Sequence, residues 1–114
     1  MKEVKKVWGK EVWVVNCAEY CGKILCIEQG AKSSLHKHMK KKETFYCIKG
    51  RVLLTINEKE YTLNRFSEPR TIKPNTTHSF KGITDAVMIE FSTHHEDSDV
   101  IRYKESEIGM GKQI

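Results

Sequence analysis

Apolar and polar residues alternate along most of the chain with a period of two, the signature of strands that bury one face. EVWVVN (11–16), KILCIEQ (23–29), TFYCIKG (44–50) and AVMIEFST (86–93) are β-branched and aromatic runs, and each predicts a strand. Residues 4–9, VKKVWG, lead into the first of them. RVLLTINEKEYTL (51–63) predicts a hairpin: VLLTI, a turn through Asn57, Glu58 and Lys59, then EYTL. Shorter strands are expected at TIK, after PNTTHSF and at VIRY, the last followed by a single helical turn. No helical period of useful length occurs before residue 94. Many short strands divided by turn signals predict an all-β sandwich or barrel.

At 114 residues the chain is expected to form one domain. Within it, residues 1–22 form an N-terminal strand and lead-in, 23–93 the barrel, and 94–114 a polar C-terminal tail. No apolar run approaches the roughly 20 residues that span a bilayer. The opening MKEVKKVWGKE carries charges but no apolar core of a secretory signal, so a cytoplasmic location is expected. The net charge of +5 comes from scattered lysines with one cluster at Lys37, Lys40, Lys41 and Lys42. Without a continuous basic stripe and interleaved aromatics, nucleic-acid binding is set aside. A basic surface suits anionic substrates such as sugar phosphates, although each single lysine is read as solvated. Cys26 and Cys47 lie inside apolar strand patterns, and the CxxxC of Cys17 and Cys21 lacks a second pair. Reduced, structural thiols follow from both observations.

The chemistry concentrates in Gly30 to Gly50, GAKSSLHKHMKKKETFYCIKG. His36 and His38 stand one residue apart, so an extended strand aims both imidazoles at one point. Glu43 can join them if the chain bends through the lysine run 40–42, and His78 is the candidate fourth ligand. Such a mixed nitrogen and oxygen set suits one divalent metal ion: zinc, iron, manganese, nickel or cobalt.

This stretch resembles the first motif of the cupin superfamily: glycine, five residues, H-x-H, three or four residues, glutamate, six residues, glycine. Gly30, His36, His38, Glu43 and Gly50 match it at every position. The second cupin motif is degenerate here. Aligned on His78, it places Ser67, Lys73, Asn75 and Gly82 where the family has glycine, proline, glycine and asparagine. Asn75 is a reasonable substitute for glycine because asparagine tolerates a left-handed turn. The resemblance implies a cupin-type double-stranded β-helix, that is, a jelly-roll barrel. VWGKE (7–11) resembles the opening of cupins in the mannose-6-phosphate isomerase group, and FSTHHEDSDVIR (91–102) the strand exit of sugar-handling cupins. Together they imply a metal-dependent isomerase or epimerase acting on a small sugar or sugar phosphate.

Strand parity supplies further candidates. Ser34 shares the face of His36 and His38, Phe45 that of Glu43, and Phe80 that of His78. Trp13 offers a face for sugar stacking, and Lys23 either clamps a phosphate or is solvated. Glu90, with Met88 as same-face neighbour, is either an inward general base or an outward surface carboxylate. His94 and His95 are read as surface residues. A homodimer through the N-terminal strand is expected, because an open sheet edge invites pairing. Two other functional classes stay open: an iron-dependent dioxygenase, and a non-catalytic module that binds a sugar or a metal.

Overall fold

The computed structural model describes residues 1–109. Among the described residues there are eleven strands and no helix: β1 (Lys2–Lys6), β2 (Gly9–Asn16), β3 (Cys21–Ile27), β4 (Leu35–Lys37), β5 (Glu43–Lys49), β6 (Val52–Ile56), β7 (Lys59–Leu63), β8 (Arg70–Ile72), β9 (His78–Gly82), β10 (Ala86–Ser92) and β11 (Ile101–Lys104). They build a six-stranded sheet in the order β1-β2-β3-β10-β5-β8 and a five-stranded sheet in the order β11-β4-β9-β6-β7. All strand pairings are antiparallel. The two sheets close over a common interior as a jelly-roll barrel.

The period-two reading accounts for the larger sheet. Along β3, Cys21, Lys23, Leu25 and Ile27 are buried while the residues between them are half-buried. Glu43, Phe45 and Cys47 of β5 and Ala86, Met88 and Glu90 of β10 alternate in the same way. Their apolar members meet Trp8, Val52, Leu54 and Phe80 in one core cluster. Three buried charged residues, Lys23, Glu43 and Glu90, occupy inward positions that the pattern reserves for apolar side chains. That violation localises the functional end of the barrel.

The hairpin of β6 and β7 turns through Asn57 and Glu58, both in the left-handed region with φ of 49° and 70°. This double positive φ is the type I′ geometry of two-residue hairpins, built here without glycine. Asn75 also has a positive φ of 62°, which explains how it serves where the motif has glycine. Gly50 has φ +74°, and a Cβ there would lie 2.1 Å from the Asp85 carbonyl oxygen, so only glycine fits.

The segment after residue 94 is woven into the barrel. β11 pairs with β4, and the backbone of Glu107 exchanges hydrogen bonds with Lys32 at 2.8 and 2.9 Å. No helical turn occurs there among the described residues; residues 110–114 lie outside them. All four cysteines are free thiols, and burial pushes those of Cys21 and Cys47 up.

Candidate metal and substrate site

The five-stranded sheet brings two histidines face to face. In the pairing of β4 with β9, His36 lies opposite His78. His38, two residues beyond His36, emerges on the same side, and the donor nitrogens of the three rings lie within 4.8 Å of one another. Glu43 arrives from the opposite sheet: its Oε2 is 3.1 Å from His78 Nε2 and 3.4 Å from His38 Nε2. The bend through residues 39–41 that delivers it is held by Asp99, whose carboxylate accepts hydrogen bonds from the backbone N–H groups of Met39, Lys40 and Lys41 at 2.9 to 3.2 Å.

Every imidazole is oriented by a backbone carbonyl. The Nδ1 of His36 lies 2.8 Å from Ser34 O, that of His38 2.7 Å from Asp99 O, and that of His78 2.9 Å from Thr76 O. A carbonyl can only accept, so each Nδ1 carries the proton and each Nε2 presents a lone pair inward. Burial, reinforced by neighbouring His78, lowers the pKa of His36 to about 3. Burial and the Lys41 ammonium lower that of His38 to about 4. Both rings are therefore neutral ligands at pH 7. Burial opposes the ionisation of Glu43, yet its pKa is lowered to about 2, with the Lys41 ammonium favouring the carboxylate. His78 Nε2 and Glu43 Oε2 are buried with no aligned hydrogen-bond partner among the described residues. Unpartnered buried acceptors of this kind are costly, and a cation between them removes the cost. The donor set fits a divalent metal on this ground.

Around the donors lies a cavity of about 120 Å³. Ser34, Phe45, Phe80, Lys23 and Glu90 line it. Two corrections apply to that group. Lys23 is not solvated: it is 1% exposed, 3.4 Å from Glu11, and stacked over the Trp13 ring at 4.2 Å, so it is not free to clamp a phosphate. Ser34 directs both its carbonyl and its hydroxyl at His36 Nδ1, which makes it a support for that ring. Trp13 does not line the cavity; it hydrogen-bonds Glu11 at 2.9 Å and packs edge-on against His95.

Glu90 takes the inward of its two alternatives. It is 4% exposed, and burial raises its pKa, with the charge of Glu43 adding to the effect. Its Oε2 accepts a hydrogen bond from Lys41 Nζ at 3.1 Å. Lys41 is the largest departure from the sequence reading, which treated the lysine run as solvated. It is 3% exposed and lies 3.8 Å from Glu43 and 3.1 Å from His95 Nδ1, bridging the two glutamates. His95 is likewise no surface residue: it lines the cavity and binds Asp97 at 2.8 Å. His94 stays half-exposed. A second, wider groove of about 800 Å³ lies elsewhere, between Lys10, Cys26, Lys49 and Val87, and holds none of the donor residues.

The sequence model of the cupin domain matches residues 23–94. Comparison with the curated proteins finds no match. Among solved structures, the chain is similar to KdgF from Halomonas sp., at 14% identity, TM-score 0.72, covering 78% of this chain and 81% of that one. It is similar to Pac13 of Streptomyces with bound uridine, at 12% identity and TM-score 0.78, covering 91% and 84%; Pac13 is described as a nucleoside dehydratase. It also resembles CapF, a capsular polysaccharide assembling protein from Staphylococcus aureus, at 17% identity and TM-score 0.75. That match covers 95% of this chain but 34% of CapF, so the chain spans about a third of that protein.

Proposed function

The chain belongs to the cupin family, and from that premise we propose that it is a metal-dependent isomerase or epimerase of a small sugar or sugar phosphate. The carrying observation is the cluster of His36, His38 and His78 donor nitrogens, with Glu43 Oε2 against the Nε2 atoms of His78 and His38, beside the buried carboxyl group of Glu90. His36, His38, His78 and Glu43 would hold one divalent ion. When bound, such an ion supplies Lewis acidity that polarises a sugar carbonyl and orients its neighbouring hydroxyl.

The chain's own residues supply the rest. Glu90 is the group that takes the proton alpha to the carbonyl and returns it to the neighbouring carbon. Its raised pKa brings it closer to neutrality, where a carboxylate both accepts and donates. Lys41 fixes the Glu90 carboxylate by the hydrogen bond to Oε2 and keeps the pair of glutamates from repelling each other. Phe45 and Phe80 exclude water from the inner wall and offer apolar surface to a sugar ring. The resemblance to Pac13 and CapF, described as a nucleoside dehydratase and a capsular polysaccharide assembling protein, supports a sugar-containing substrate. Free thiols accord with a reducing cytoplasm. A homodimer belongs to the same reading, since among the described residues β1 pairs with β2 alone, which offers its other edge to a second copy.

The test begins with elemental analysis of untagged protein and its His36→Ala variant. Stoichiometric metal in the wild type and its loss in the variant are expected. Aldoses and their phosphates are then incubated with the loaded protein in deuterium oxide. Deuterium is expected at the carbon alpha to the carbonyl, and Glu90→Gln abolishes the exchange. Wild-type protein that takes up none of the five ions overturns the proposal. Bound iron with oxygen uptake and no exchange would instead identify a dioxygenase, and ligand-induced stabilisation without turnover a binding module.

A further inference from the structure

Resting on the reading of this cavity as the substrate site, we propose that Arg102 binds an anionic group, a carboxylate or a phosphate, carried by the substrate. Ligand pockets for drug-sized molecules commonly hold about 300–1,000 Å³. This cavity, at about 120 Å³, takes only the reacting end of a substrate. The remainder must lie at the mouth, where side chains that reach solvent decide what is accepted.

The inner cations cannot serve an incoming anion. Lys23 is committed to Glu11 and Trp13, and Lys41 to Glu90 and Glu43. Turning either away would strand a buried carboxylate without its counter-ion. Lys6 reaches Glu11 at 3.9 Å. Asp97, the exposed carboxylate on the cavity wall, is tied to His95 Nε2 at 2.8 Å.

Arg102 differs from all of these. It lines the cavity, is exposed, and makes no ion pair or side-chain hydrogen bond among the described residues. Register fixes its direction: β11 pairs with β4 so that Arg102 lies opposite His36, itself opposite His78. Side chains directly opposite in an antiparallel pair share a face, so Arg102, His36 and His78 form one row from the rim to the donor centre. A guanidinium matches carboxylate and phosphate oxygens with two parallel hydrogen bonds, so an unengaged arginine at the end of that row selects such a group.

The experiment measures binding of D-glucose, D-glucuronate and D-glucose 6-phosphate to the wild type, Arg102→Gln and Lys104→Gln by calorimetry. Lys104 is a basic residue of the same strand outside the cavity, and it controls for net charge. At least one anionic probe is expected to bind the wild type about tenfold or more tightly than glucose. Arg102→Gln removes that preference and Lys104→Gln keeps it. Preference for glucuronate identifies a carboxylate, and preference for the phosphate identifies a phosphoryl group. Equal binding of all three, no binding of any, or a preference that survives Arg102→Gln overturns the proposal. Metal content and deuterium exchange are read on the same preparations. Exchange without anion preference removes the role of Arg102 and leaves the isomerase; an Arg102-dependent preference in protein without metal or exchange does the reverse.

Discussion

Glu43 Oε2 faces the Nε2 atoms of His78 and His38 at 3.1 and 3.4 Å, an arrangement of acceptors that calls for a cation. The buried ammonium of Lys41 stands on the other side of the same carboxylate, 3.8 Å from Oε1, and also holds Glu90. Lys41→Met therefore leaves two buried carboxylates without their cation, and a loss of about 3–5 kcal/mol is expected in urea unfolding. Adding Glu90→Gln should restore part of that loss, because one stranded charge is then removed; strictly additive effects would contradict the pairing. Asp99 acts at one remove from the donors, ordering residues 39–41 with its side chain and His38 with its carbonyl. Asp99→Ala is expected to weaken metal binding about 10- to 100-fold in a competitive chelator titration, the usual range for residues that orient ligands. Undiminished affinity would show that the bend keeps its shape unaided.

At the scale of strands and turns, the alternation in β3, β5 and β10 was legible because each has one buried face. It also set Glu43 beside Phe45 and offered an inward place for Glu90. Parity says which face a residue takes, however, and not how deep that face is buried. Lys23 and Lys41 were read as solvated because lysine usually is; their burial depends on carboxylates 12 and 49 residues away along the chain. The roles of Asp99 and Arg102 depend on the pairing of β11 with β4, a contact across about sixty residues that no local pattern announces. The hairpin of β6 and β7 was legible by its flanks, while its turn lacks the expected glycine. Glu58 holds φ of 70° there at the cost of a left-handed backbone. Glu58→Gly should raise stability by about 1 kcal/mol in urea unfolding, and a loss of stability would show that the glutamate side chain compensates its own strain.

For the whole molecule, the donor cluster ties folding to pH and to metal. His36 and His38 have folded pKa values of about 3 and 4 against an ordinary 6.5, so the unfolded chain binds more protons between those limits. Glu43, at about 2 against 4.5, does the same lower down. Excess proton uptake by the unfolded state makes stability fall as pH falls. The loss begins near pH 6.5 as the histidines charge on unfolding, and continues below pH 4.5 as Glu43 adds its share. Glu90 opposes this, since its raised pKa favours the folded state in acid. A divalent ion that binds only the folded chain adds about 2.7 kcal/mol at one hundred times its dissociation constant. For a domain of this size that raises the melting temperature by roughly 10 °C. Protons and metal compete for the same Nε2 lone pairs. The folded chain keeps His36 and His38 neutral down to about pH 4, so the metal-induced shift should hold from pH 7 to pH 5 and shrink as pH falls through 4 to 3. Scanning calorimetry with zinc and with a chelator, at each pH, measures both effects together. A shift of equal size at pH 7 and pH 3 would place the ion on groups other than these histidines.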